Sequence, residues 1–192
     1  MFMKFEQLES RLLLTATATL SSNGTLLITG DAGDDLVLVV GTGAGTVDLF
    51  LNGDDVATPY SGVANITINT RGGMDDVNVI LIDITGNLKI NTGAGDDMLS
   101  FGADSQIGGN LVINMGSGND EAVVGAVAGA FDVAGNLNIK LGSGTDNLYL
   151  GLGEITGKTT LNGGGGFDTY NDLGNVFTTL PKERQFEQVI ML

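Results

Sequence analysis

The chain has no cysteine, no histidine and no tryptophan, two prolines, and only eight lysines and arginines among 192 residues. Without cysteine there is no disulfide and no thiol nucleophile, and the redox compartment leaves no trace. Without histidine the commonest general base is missing, and with both gone so are the usual zinc ligands. Eight basic residues against 23 acidic ones give a formal net charge of −15. Such a surface repels phosphates and anionic headgroups, which speaks against nucleic acid as a partner, and it draws cations. Oxygen ligands alone are plentiful, which among metals favours calcium. No apolar run approaches the roughly 18 residues of a membrane-crossing helix, so no membrane span is expected. The opening MFMKFEQLESRLLLTATATLSS is a poor secretory signal, since Glu and Arg interrupt its apolar stretch.

Glycine is abundant, at 31 residues, but a hydrophobic fraction of 42% argues against disorder. Short runs of Val, Ile and Leu, broken by Gly, Asn and Asp, read as many short strands joined by tight turns. Four segments align: GNLKINTGAGDDML from Gly86, GNLVINMGSGNDEA from Gly109, GNLNIKLGSGTDNL from Gly135 and GKTTLNGGGGFDTY from Gly157. ANITINTRGGMDDVN from Ala64 precedes them. The last aspartate of each turn gives a column of Asp76, Asp97, Asp120, Asp146 and Asp168, at intervals of 21, 23, 26 and 22. Asp35 and Asp55 extend it backwards, although the Asp55 turn is compressed and a hairpin there is an open alternative.

Units of this length, with strands and no helices, cannot each bury a core and must stack. The expected fold is an all-β parallel β-solenoid, β-helix or β-roll-like, of about 6–7 coils with roughly 22 residues per coil. Residues 1–19 form an export or capping motif, 20–180 the solenoid, and 181–192 a closing strand or cap. Period-two alternation turns Ile66/Ile68, Leu88/Ile90, Leu111/Ile113 and Leu137/Ile139 inward. Asn65, Asn87, Asn110 and Asn136 form one asparagine column, ended by Lys158; Asn69, Asn91, Asn114 and Asn162 form another, interrupted by Lys140. Stacked amides can hydrogen-bond from coil to coil, the alternative being that Asn merely suits turn angles. The extra residues between Asp120 and Asp146 lie in VGAVAGAFDVAG, so insertions are expected after the second strand of a coil.

The spacing G-x-G-x-D recurs at Gly93, Gly95 and Asp97; Gly116, Gly118 and Asp120; Gly142, Gly144 and Asp146; and Gly164, Gly166 and Asp168. It resembles the glycine- and aspartate-rich nonapeptide of RTX, or haemolysin-type, calcium-binding β-rolls. The resemblance implies Ca²⁺ held by Asp97, Asp120, Asp146 and Asp168 with carbonyls around Gly93, Gly116, Gly142 and Gly164; Asp76 and Asp35 extend that set along the column. The pattern departs from the family in carrying one such turn per unit, with Thr92, Met115 or Leu141 in place of the leading glycine. Stacked turns without metal, in which Asp accepts hydrogen bonds from amides, are the alternative.

The segment FEQLESRLLLTA, residues 5–16, resembles a Leu-Glu-Pro-Arg-x-Leu-Leu motif near the N-terminus of many planctomycete exported and surface proteins. Leu8, Glu9, Arg11, Leu13 and Leu14 match, and Ser10 replaces the proline. The resemblance implies an extracellular or cell-surface location, with the cell envelope or surface glycans as partners. The plain reading is an amphipathic cap using Phe5, Leu8, Leu12 and Leu13. At the other end FEQVIML reads as a strand, either tucked onto the last coil or pairing with another copy into filaments.

The expected function is a non-catalytic structural, adhesive or assembly solenoid stiffened by calcium. One alternative is a calcium-triggered folding or secretion module. A polysaccharide-degrading β-helix is less well supported: the outward bases Lys89 and Lys140 lie two coils apart, and the aspartates are too repetitive to single out a pair.

Overall fold

The computed structural model describes residues 16–56, 58–102, 104–125, 130–177 and 180–191. Residues 5–15 of the N-terminal motif, Phe5, Leu8, Leu12 and Leu13 among them, lie outside the described residues, as does part of the insertion after Val124. The described chain is strand and turn without helix. It winds into a parallel β-solenoid of about five turns, spaced about 23 residues apart.

A full coil has three strands, as in Leu88–Ala94, Met98–Gly102 and Gln106–Ile107. Stacking gives three sheets. The first orders Thr17–Leu20, Thr25–Thr29, Asn65–Gly72, Leu88–Ala94, Leu111–Ser117, Leu137–Gly144, Thr159–Gly166 and Lys182–Arg184. The second stacks Leu36–Gly43, Asp76–Ile80, Met98–Gly102, Glu121–Val124, Asn147–Leu150, Thr169–Asp172 and Gln188–Met191. The third is short, from Asp83–Ile84 through Gln106–Ile107, Phe131–Val133 and Gly153–Ile155 to Val176–Phe177.

Strand alternation sets the core. Ile68, Ile90, Ile113, Ile139 and Leu161 occupy one register position in successive coils and are fully buried. Ile66, Leu88, Leu111 and Leu137 make the column beside it, as the alternation predicts. Each such side chain contributes about 1.5–3 kcal/mol on burial. Phe131 enters the core beside the insertion and meets Phe101 edge-on, centroids 5.4 Å apart. It fits because Gly125 and Gly153 flank its ring, where a Cβ on either would come within 2.3 Å.

Two departures concern the ends. Around Asp55 the chain takes the hairpin alternative and not a further coil: Thr46–Leu51 pairs antiparallel with Leu36–Gly43, and Asp54–Asp55 folds back on it. Val47, Leu49 and Leu51 of that strand are buried, so it closes the open end of the core instead of adding a turn. This lowers the coil count and removes Asp55 from the aspartate column. On the first sheet Thr17–Leu20 does the same, antiparallel to Thr25–Thr29. At the other end Gln188–Met191 lies parallel on Thr169–Asp172, a strand tucked onto the last coil. Glu183 takes the register of Leu161, so the aliphatic column ends in a half-buried carboxyl.

Candidate functional site

The Gly-rich turn joins the first sheet to the second. Its aspartate falls seven residues after the inward aliphatic residue of each coil: Ile28 to Asp35, Ile90 to Asp97, Ile113 to Asp120, Ile139 to Asp146 and Leu161 to Asp168. In the coil of Ile68 that position is Asp75. The expectation of Asp76 is corrected here: Asp76 pairs in register with Met98 and is exposed, whereas Asp75 aligns with Asp97 and is buried.

The column of Asp35, Asp75, Asp97, Asp120, Asp146 and Asp168 is turned inward, each residue at most 3% exposed. Each amide donates to a carboxyl oxygen one coil further on. Asp35 N–H reaches Asp75 Oδ1 at 2.8 Å, Asp75 reaches Asp97 at 2.9 Å, and Asp97 reaches Asp120 at 2.9 Å. Asp120 reaches Asp146 at 2.9 Å and Asp146 reaches Asp168 at 3.0 Å. Both ends are closed by residues that the sequence repeat does not single out. Asp168 N–H donates to Glu187 Oε2 at 2.7 Å, and Asn52 Nδ2, from the hairpin, donates to Asp35 Oδ1 at 3.1 Å. Glu187 stands where the next aspartate would. Asn52 is betrayed only by its φ of 52°, which short polar residues tolerate.

The asparagine column sits on the corner before the first sheet. Asn65 Oδ1 accepts from Asn87 N–H, Asn87 from Asn110, Asn110 from Asn136, and Asn136 from Lys158, at 2.8–2.9 Å. The side-chain amides add bonds at 3.0–3.3 Å. Asn87 and Asn136 are exposed, so this ladder lies at the surface and not in the interior. In the second column Asn114 Nδ2 donates to Asn91 Oδ1 at 3.3 Å. Asp96 is exposed, and its Oδ1 accepts from Asn119 N–H at 2.7 Å.

Burial pushes the carboxyls of Asp75, Asp97, Asp146 and Asp168 above the usual range, and that of Asp120 up to about 7, while the amide hydrogen bonds pull the other way. Calcium asks for about six to eight oxygens around one point. Here Oδ1 of each column member already accepts an amide. The residues five positions earlier, alongside the carboxyls, are Thr70, Thr92, Met115, Leu141 and Gly163. The carbonyls of Gly93, Gly116 and Gly142 point along the stack: a Cβ on the next coil's glycine would lie 1.9 Å away. Among the described residues no three acidic side chains converge into a group that could hold a metal ion.

Outside the ladders, Asp83, Gln106, Asp132 and Glu154 share one register on the third sheet and line a shallow groove of about 380 Å³. Lys89 and Lys140 stand on different registers of the first sheet, paired with Val112 and with Asn114, so they do not converge on one point. No helix among the described residues is long and apolar enough to cross a membrane. Comparison with protein families, with curated proteins and with solved structures finds no match.

Proposed function

We propose that the protein is a non-catalytic structural or assembly element, a preformed solenoid rod acting outside the cell or on its surface. One observation carries this reading: its repeated acids and amides are committed to joining coil to coil. A residue whose amide and side chain both hold neighbouring coils is poorly placed to act on a substrate. The N-terminal resemblance to exported proteins supports the location, and the acidic surface suits a soluble extracellular rod. Self-association end to end belongs to the same reading, since Val189 and Met191 of the last strand are exposed.

The same reading takes the rod to stand without calcium, supported by hydrogen bonds that join the coils directly. The test is far-ultraviolet circular dichroism of the full chain in excess chelator, followed by added Ca²⁺. A strand spectrum and melting temperature that ignore the ion are expected. A coil spectrum that turns to strand on adding Ca²⁺ would replace this reading with a calcium-triggered folding module. Light scattering at high concentration tests the assembly arm, and monomer alone would remove it.

A further inference from the structure

The basic residues are not spread over the surface. Lys4 and Arg11 lie outside the described residues. The other six, Arg71, Lys89, Lys140, Lys158, Lys182 and Arg184, are all exposed on the first sheet or on the corner that opens it. Lys89 and Lys182 share one outward register, and Lys140 and Arg184 share the outward register two residues further on. Every strand from Asn65–Gly72 to Lys182–Arg184 brings a cation to this face except Leu111–Ser117, with Lys158 one residue ahead of Thr159–Gly166.

Their strand neighbours do not neutralise them. Lys89 stands between Thr67 and Val112, Lys140 between Asn114 and Asn162, Lys182 beside Thr160 and Arg184 beside Asn162. Glu183 is the one acid in these strands, and it is turned inward in register with Leu161. Every other described acid lies in a turn or on the other two sheets. Facing sheets stand about 10 Å apart, more than the ~8 Å over which physiological salt screens exposed charge. A ligand on the first sheet therefore meets a cationic strip, although the whole chain stands at −15. The exposed turn acids Asp34 and Asp96 border that strip and confine it to the width of the sheet.

The rest of the face narrows the partner. Its other outward positions are chiefly Thr and Asn, whose hydroxyls and amides suit a polymer rich in hydroxyl groups. No strand of this sheet contains an aromatic residue. The face thus offers neither the aromatic anchor of a protein interface nor a ring on which a base can stack. A linear polyanion lying across the strands would pass a coil every ~4.8 Å and meet the cations in turn.

We propose that the outward face of the first sheet is a docking strip for a carboxylated polysaccharide, a polyuronate laid along the stack and held by Lys89, Lys140, Lys158, Lys182 and Arg184. A place at the cell surface supplies such a polymer, so the assignment rests on the extracellular reading above.

The test is calorimetric titration of the full chain with polygalacturonate at low salt, in excess chelator so that calcium cannot bridge acid to acid. Binding is expected, and it should fade as salt rises, while uncharged dextran should not bind. The double variant Lys89→Gln/Lys140→Gln changes exposed side chains only, and should weaken binding by about tenfold with an unchanged circular dichroism spectrum. Asp132→Asn/Glu154→Gln, on the third sheet, raises the net charge by as much as the lysine pair lowers it, and should shift affinity by less than about twofold. A parent chain that does not bind polygalacturonate overturns the proposal, whatever the variants do. So does a lysine variant that binds like the parent, or an acid variant whose gain equals the lysine loss, since net charge alone would then govern binding. Tighter binding of duplex DNA or of phosphatidylserine vesicles would assign the strip to phosphate and overturn it as well. Light scattering that shows oligomers of the parent, dispersed by the lysine variant without any polymer, would give the face to a second copy instead. None of these failures touches the strand spectrum in chelator, which decides the rod reading separately.

Discussion

The amide of Asp97 donates to Oδ1 of Asp120, 2.9 Å away and 23 residues further along the chain. The asparagine column runs in the opposite sense, with Asn110 N–H donating back to Asn87. Aspartate side chains therefore reach toward the preceding coil and asparagine side chains toward the following one. Each coil is held to its neighbours from two corners by oppositely directed ladders. This ties the period of the sequence to the stacking of the coils.

Asp97→Ala removes the acceptor of the buried Asp75 amide. A buried donor left without a partner costs about 1–3 kcal/mol. Asp96→Ala, one residue away and exposed, releases an amide that water can take. Urea unfolding should show the first variant destabilised by at least about 1 kcal/mol more than the second.

Asn110→Ala cuts the surface ladder on both sides, removing the acceptor of Asn136 N–H and the donor to Asn87 Oδ1. Water reaches this corner, so the expected loss is about 0.5–1.5 kcal/mol. Hydrogen exchange should quicken at Asn136 and leave the Asp120 amide, on the opposite ladder, protected.

Much of this was legible in the sequence, because the turn chemistry repeats with the strand pattern. The inward aliphatics, the parallel stacking and the asparagine ladder follow from the period. The Asp75 register did not, because the doubled aspartates invite counting from the turn. Counting seven residues from Ile68 reaches Asp75, as counting from Ile90 reaches Asp97. The compressed Asp55 turn leaves both a coil and a hairpin open, because VDLFL alternates like any inward strand and only its antiparallel partner decides for the hairpin. The direction of the carboxyls, inward and not toward solvent, depends on backbone geometry that GxGxD alone does not specify. Thr70 and Thr92 carry no signal of their place beside the column until the coils are stacked.

Glu183 sits in register with Leu161, at the end of an aliphatic column. Burial, with Asp172 adding repulsion, holds its carboxyl above the ordinary range. A raised acid destabilises the fold as pH rises through its folded value. Glu183→Gln should therefore stabilise the protein at about pH 8, by less than about 1 kcal/mol, and change little at about pH 4. Paired thermal melts at the two pH values check this. A gain at the lower pH alone would contradict the inward placement of the side chain.

Gly118 and Gly165 separate backbone strain from turn composition. Gly118 has φ of 133°, and a Cβ there would stand 2.0 Å from the carbonyl oxygen of Gly95 in the coil before. Neither atom can yield, since both belong to backbone fixed by the parallel sheets. Gly165 occupies a turn of the same kind, yet a Cβ on it meets nothing within 4 Å. Gly118→Ala combines an unfavourable φ with overpacking, and should cost more than about 3 kcal/mol. Gly165→Ala should stay within about 0.5 kcal/mol of the parent. Chemical denaturation of both variants gives the comparison. Equal stabilities would mean that the coils stand further apart at this corner than the stacked glycines require.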